Sequence, residues 1–208
     1  MAKINGGLES MISGLIGPVV LVNYNGKHYV RRAPRERAKN SWSEAQELHR
    51  TRFKAINAFW KQFYHTPVKQ IWDLAAEGMR GVNLFIKTNM PAFGADGTIK
   101  DLERLHFSAG KLPLAHKLKA AKSAGDPQKI EVSWENESEN GLAASDDELM
   151  MMIAHGVNFT GPVKTGVQRK IAAAVISLPA GCENAEGIYL FFGNEKRKLY
   201  SVDQYFGI

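Results

Sequence analysis

The first regular pattern in the chain is a run of apolar and β-branched residues that begins at Val19. The run VVLVNY is followed by Asn25-Gly26 and then by KHYVRR. Asn-Gly between two such runs favours a type I′ turn, because both central residues of that turn need positive φ. Both faces of the resulting hairpin carry mixed residues, so we expect it to lie against helices or a neighbouring subunit. The pattern predicts three facing pairs: Tyr24 with Lys27, Val22 with Tyr29, and Val20 with Arg31.

Basic residues are concentrated in the second strand of this hairpin and just after it. The segment RRAPRERAKN contains Pro34, which disfavours regular structure, and it predicts an extended arm. One interpretation is a binding surface for phosphate or acidic protein, and the other is a solvated loop whose arginine stems lie along the surface. The candidate binding residues are Lys27, Arg31, Arg32, Arg35, Arg37 and Lys39.

Helical spacing dominates the middle of the chain. Ser43 followed by Gln46 is a capping-box pattern, and apolar residues then recur with a helical period to about Tyr64. Thr66-Pro67 predicts the start of a second helix, and GVNLFIKTN predicts a third. The aromatic stripe of these helices is expected to form a core; its members are Phe53, Phe59, Trp60, Phe63 and Trp72.

Short runs separated by Gly, Pro, Asn or Asp replace the helical pattern from about Arg104 onward. The runs are RLHFS, LPLAHKLKAA, KIEVSWEN, DELMMMIAH, QRKIAAAVISLP, GIYLFFGN and RKLYSV. About seven short strands with turn signals indicate a β-sandwich. LMMMIA and IAAAV are good helix formers too, so composition alone leaves those two segments open between strand and helix. The acidic cluster Asp146–Glu148 lacks the alternation of a calcium loop and is interpreted as a solvated strand entry.

The sequence therefore predicts an α+β protein with two domains. Residues 1–95 are expected to hold the hairpin, the basic arm and a three-helix cluster, and residues 104–208 the β-sandwich. Net charge is +6, and its distribution is uneven. Residues 1–122 contain 20 Lys and Arg against 9 Asp and Glu, whereas residues 123–208 contain 7 against 12. Such a split fits surfaces with different partners, subunits that stack head to tail, or two halves that attract each other within one molecule.

The C-terminal half resembles fibronectin-type-III and immunoglobulin-like sandwiches. KIEVSWEN is similar to the second strand of that fold, and ISLPAGCENAEGIYLFF is similar to its later strands. The resemblance implies that Trp134 and Leu178 lie in the core and that Tyr189 lies on the penultimate strand. It also implies a binding or spacer module, because such folds fix no particular chemistry.

The N-terminal half resembles a Bacteroidota and phage-borne domain-of-unknown-function family. Its usual order is a Gly-x-x-Gly opening, a GK-x-YVR-x-x-P segment, a Gln-x-x-x-Arg-x-x-F helix, a Trp and a Gly-x-Asn-x-Phe-x-x-x-Asn helix. The resemblance implies a phage or prophage structural component and carries no catalytic residues over. The matching positions are Gly14, Gly17, Gly26, Lys27, Tyr29, Val30, Arg31, Pro34, Gln46, Arg50, Phe53, Trp72, Gly81, Asn83, Phe85 and Asn89.

Signatures of catalysis are not found in the sequence. There is no P-loop, no dinucleotide fingerprint and no nucleophile elbow, and the six histidines show no metal-ligand spacing. Cys182, the single cysteine, has acidic neighbours, which should raise the pKa of its thiol. We expect no cofactor and no metal. The run MISGLIGPVVLV is too short to span a membrane and lacks a cleavage site.

Two functions remain in view from sequence. The first is a non-enzymatic structural or assembly protein, a virion component of a phage or prophage, whose partners are other subunits or coat and tail proteins. The second is an accessory protein that binds nucleic acid non-specifically through the basic N-terminal half. The expected location is the virion or the bacterial cytoplasm.

Overall fold

Two compact units make up the chain, residues Met1–Ser43 and Glu44–Ile208. We call them the front unit and the main unit. The structure is a computed structural model that describes residues 2–3, 13–24, 26–35, 41–135 and 141–208. The division does not follow the expected boundary between residues 95 and 104. The helices belong with the C-terminal strands, because the two share one hydrophobic core.

The front unit is an antiparallel four-stranded sheet with the strand order β1-β4-β3-β2. The hairpin prediction is confirmed in register: all three facing pairs occur as expected. Gly26, with φ of 71°, adopts the positive φ that the turn needs, and Asn25 lies outside the described residues. None of the described side chains of this unit is fully buried. The strands are β1 (Ala2–Lys3), β2 (Gly14–Ile16), β3 (Val19–Tyr24) and β4 (Lys27–Arg32).

The main unit begins with three helices and continues with antiparallel strands, which makes the protein mixed α+β. The three helices are α1 (Glu44–Lys61), α2 (Pro67–Ala75) and α3 (Gly81–Asn89), close to the predicted segments. Pro67 is the first residue of α2, where its missing N–H costs no hydrogen bond. The strands are β5 (His116–Ser123), β6 (Asp126–Glu135), β7 (Glu148–His155), β8 (Asn158–Gln168), β9 (Ala173–Ser177), β10 (Gly187–Asn194), β11 (Leu199–Tyr200) and β12 (Gln204–Gly207).

Two sheets contain these strands. One has the order β11-β10-β7-β8, with β12 also paired to β10, and the other has the order β5-β6-β9. Of the two segments that composition left open, LMMMIA is strand throughout, whereas IAAAV is strand only from Ala173, because Ile171 ends a short 3-10 helix and Ala172 follows it. RLHFS, which the sequence pattern counted among the strands, is irregular instead, whereas β8 was not predicted. Pairing with neighbouring strands decides the conformation of these segments, because the β-propensity of a residue depends on its neighbours in the sheet.

Strands β7 and β10 are apolar on both faces, and successive side chains pack against different partners. Leu149, Met151 and Ile153 point into a cluster shared with β5, β6 and β9, as do Ile188 and Phe192. Trp134 and Leu178 are buried in this cluster, as the resemblance implied. Alternation with period two sends every second residue to the opposite face.

The opposite face of β7 and β10 is covered by the three helices. Met152 and Tyr189 belong to the cluster formed by α1, α2 and α3, and Met150 and Phe191 pack with Ile71. Phe59 lies at the centre of an aromatic group, with ring centroids 5.1 Å from Phe63 and 5.6 Å from Phe93 in edge-on arrangements. The central sheet is therefore enclosed between helices and a second sheet.

One predicted core residue is not in the core. Phe53 has 48% of its surface exposed, whereas Phe59, Trp60, Phe63 and Trp72 are buried as expected. The prediction for Phe53 was wrong because the first turns of α1 extend past the core: every described residue from 44 to 51 is exposed. Apolar residues keep their helical period along the whole of α1, but the hydrophobic core does not extend over the first half of the helix.

Substitution of Phe59 and Phe53 tests this assignment. Phe59→Ala should lower the free energy of unfolding by about 3–5 kcal/mol, because it leaves a cavity among packed rings. Phe53→Ala, in the same helix, should cost less than about 1 kcal/mol. Urea unfolding of both variants measures the difference. Equal losses would mean that Phe53 is packed as the sequence period predicts.

Candidate functional site

The predicted basic arm is divided between the two faces of the front sheet. Lys27 and Arg31 lie on one face of β4 with Tyr29 between them, and Arg32 projects from the other. Lys27, Arg31, Arg32 and Arg35 are all exposed. Arg37 and Lys39 lie outside the described residues. The structure thus brings together Lys27 and Arg31 and separates Arg32 from them.

Apolar side chains accompany these cations. Leu15 is 67% exposed and Ile16 is 51% exposed, both on the edge strand β2. Leu15 is paired with Val20, which in turn faces Arg31, so all three share one face of the sheet. This face combines a cationic line with uncovered aliphatic surface. Such a combination suits a macromolecular partner better than a small ligand, because it is open and extended.

A buried ion pair lies at the centre of one polar cluster in the main unit. Asp147 is fully buried, and its Oδ2 lies 3.4 Å from Nε of Arg169, whose side chain is 1% exposed. Asp147 Oδ1 accepts a hydrogen bond from Asn194 at 3.0 Å, and Oδ2 accepts one from the Ala144 amide at 2.8 Å. Burial lowers the pKa of the Arg169 guanidinium, against the opposing effect of Asp147. The interpretation of Asp147 as a solvated strand residue was wrong.

Arg169 connects several elements around this pair. Its Nη2 donates to the Pro113 carbonyl at 2.6 Å, and its own carbonyl accepts from Trp134 Nε1 at 2.8 Å. The guanidinium carbon lies 4.2 Å from the centroid of the Phe192 ring, a cation–π contact inside the core. These contacts tie the two sheets together.

A second polar cluster joins the segment after α3 to the C-terminal strand. His106 Nδ1 lies 2.7 Å from Asp203 Oδ1, and Asp203 Oδ2 accepts from the Phe107 amide at 2.6 Å. Asn89 donates to the His106 carbonyl and accepts from its amide. Hydrogen bonding to Asp203 raises the pKa of the His106 imidazole, despite partial burial that opposes it.

In many hydrolases an Asp orients a His that acts as general base toward a nucleophilic Ser or Cys. Ser108 is buried, and its hydroxyl donates to the Ser201 carbonyl at 2.6 Å. Cys182 is buried in the cluster between the two sheets, and burial together with Glu183 raises the pKa of its thiol, in the direction expected from sequence. The His106–Asp203 pair joins two distant parts of the chain.

Neither cluster was predicted from sequence, and little in the sequence marks them. His106 and Asp203 are 97 positions apart, and Asp147 and Arg169 are on different strands or turns. The one available signal was the acidic triplet Asp146–Glu148 directly before the apolar run LMMMIA. Among the described residues, no group of three or more His, Cys, Asp and Glu is arranged to hold a metal ion.

Comparisons with known protein families, curated proteins and solved structures gave no match to this chain. Within the described residues, no helix combines the length and the apolar character needed to cross a bilayer.

Removal of the Asp147 charge tests the buried pair. Asp147→Asn should lower the free energy of unfolding by about 3–5 kcal/mol, because Arg169 is left buried without its counter-charge. Asp146→Asn is the matched control: Asp146 is exposed, so the loss should stay below about 1 kcal/mol. Chemical denaturation measures both. A similar small effect at the two positions would show that Arg169 is neutralised by other means.

The raised pKa of His106 predicts a pH dependence of stability. Protonated His106 is favoured in the folded state, so its contribution is complete below the unfolded pKa, about 6.5, and is lost as pH rises through the folded pKa. The free energy of unfolding of the wild type, minus that of His106→Asn, should therefore decrease as pH rises above about 6.5. Urea titrations across this range measure it, and a difference that grows with pH would contradict the assignment.

Proposed function

We propose that this chain is a non-enzymatic assembly protein, a structural component of a phage or prophage particle, that works by contacting other proteins. The observation that carries the proposal is the front unit. Its described part buries no side chain, yet it exposes a line of cations beside uncovered aliphatic residues. A small sheet whose described side chains form no buried core is weakly stable alone, so contact with another macromolecule would stabilise it.

We also propose that the main unit is built on an immunoglobulin or fibronectin-type-III-like sandwich. The order β5-β6-β9 in one sheet and β12-β10-β7-β8 in the other corresponds to A-B-E and G-F-C-C′ of such folds. Trp134 and Leu178 occupy the apolar cluster between the two sheets.

One observation favours a second function, non-specific binding of nucleic acid. Lys27, Tyr29 and Arg31 follow one another along a single face of β4. Cations spaced along a strand suit a phosphate backbone, and an aromatic ring between them offers a stacking surface for bases. Affinity from this source falls steeply with salt, whereas contact with a protein partner through aliphatic residues does not.

Charge reversal on the front unit tests the proposal. In the double variant Lys27→Glu/Arg31→Glu, self-association or capture of a coat or tail protein should weaken by about tenfold or more, because two contacts of one face change sign. The matched control is Lys54→Glu/Lys119→Glu, which changes net charge equally at exposed positions of the main unit. Sedimentation velocity of the full chain, with and without such partners, measures the effect.

The two functions give different results in this comparison. An assembly contact responds to the front-face variant and not to the control, and it weakens with salt but persists at moderate salt because aliphatic residues contribute to it. Nucleic-acid binding appears as a gel shift of mixed-sequence duplex DNA at low salt and disappears as salt rises. A strictly monomeric wild type that captures neither protein nor DNA would contradict both functions.

A further inference from the structure

We propose that the edge strand β9 is a self-association site, which pairs antiparallel with β9 of a second copy across a two-fold axis centred on Val175. The inference rests on the proposed assembly function and names one surface that would serve it. Among the described strands, β9 ends the order β5-β6-β9, so one side of it faces no other strand of the sheet. A free edge of this kind presents a row of backbone donors and acceptors.

Two other edges of the sheets, β5 and β8, carry features that block strand addition, and β9 does not. β5 carries Lys117, Lys119 and Lys122 and has two register shifts against β6. β8 has register shifts against β7 and contains Pro162, which lacks an N–H. β9 reads AAVIS, with no charge, no proline and no register shift. Natural proteins protect edges that must remain single, so an unprotected edge indicates a pairing site.

The register with β6 identifies which backbone groups face outward. The Trp134 amide donates to the Ala172 carbonyl, and the Leu178 amide donates to the Gln128 carbonyl. In an antiparallel ladder this parity assigns the N–H groups of Ala174 and Ile176 to β6. The N–H and C=O groups of Ala173, Val175 and Ser177 therefore point away from the sheet.

A second copy of β9 fits this edge. An antiparallel pair centred on Val175 places Val175 opposite its own symmetry mate and Ala173 opposite Ser177, and all of these residues are the outward-facing ones. No charged side chains are brought opposite each other in the ladder. Val175 is 60% exposed, and a β-branched pair at the axis covers it.

The charges beside the strand do not oppose this arrangement. The two-fold axis at Val175 places Lys170, which is exposed just before β9, opposite the exposed Ala180 of the second copy and not opposite another cation. A five-residue ladder buries less surface than a standard stable interface, so the pair is expected to be weak and concentration-dependent.

The variant Val175→Pro isolates the outward backbone group. Proline removes the N–H that points away from the sheet and leaves the ladder to β6 intact, as prolines at sheet edges do. The control is Val175→Thr, which keeps both the N–H and the β-branched shape. Sedimentation equilibrium of the full chain between about 1 and 500 µM should give a dimer for the wild type and for Val175→Thr. The dimer dissociation constant of Val175→Pro should rise by about tenfold or more, with circular dichroism confirming that it remains folded.

The alternatives overturn the inference without ambiguity. If Val175→Pro remains folded and dimerises like the wild type, the strands do not pair through β9, and the proposed assembly function is unaffected. If Val175→Pro does not fold, Val175→Lys replaces it, since this exposed side chain points away from both cores, and an unchanged dimer then overturns the inference. A wild type that is monomeric throughout overturns it too, and the assembly function is then judged on partner capture by the front unit, whose residues lie outside β9.

Discussion

The constraint on which the main unit depends is the burial of β7 and β10 on both faces. Their apolar runs leave no polar side to turn toward water, so each face needs a cover. One cover is the set of three helices, and the other is the sheet β5-β6-β9. The helices and the C-terminal strands are consequently one cooperative unit, although the sequence reads as a helical half followed by a β half.

Buried polar side chains form ion pairs and hydrogen bonds at chain segments between the strands. Asp147 lies just before β7, Arg169 lies between β8 of one sheet and β9 of the other, and the guanidinium lies over the ring of Phe192. A buried pair of this kind is a weak source of net stability, but losing one member is costly. Its value is therefore better understood as fixing how the sheets meet. His106 and Asp203 have the same effect at the C-terminal end, where they join the segment after α3 to β12.

Sequence reasoning succeeded where one local signal decides the outcome. The Asn-Gly turn determines the register of β3 and β4, and Thr66-Pro67 determines the start of α2. It failed where distant chain segments decide. Phe53 follows the helical period, but nothing in the period reveals that the buried core begins only at Ile56, about one turn after it. Asp147 belongs to an acidic triplet, and only the position of Arg169 explains why that residue is the buried one.

The two units differ in how many of their described side chains are buried, and the proposed function depends on this difference. β7 and β10 are enclosed, whereas the described strands of the front unit bury no side chain, which leaves their order dependent on what they contact. Residue-resolved hydrogen exchange of the dilute full chain tests this most directly. The account predicts that amides of β3 and β4 exchange far faster than those of β7 and β10, and that their exchange slows in the proposed assembly. Equal protection of all four strands in the dilute monomer would contradict it.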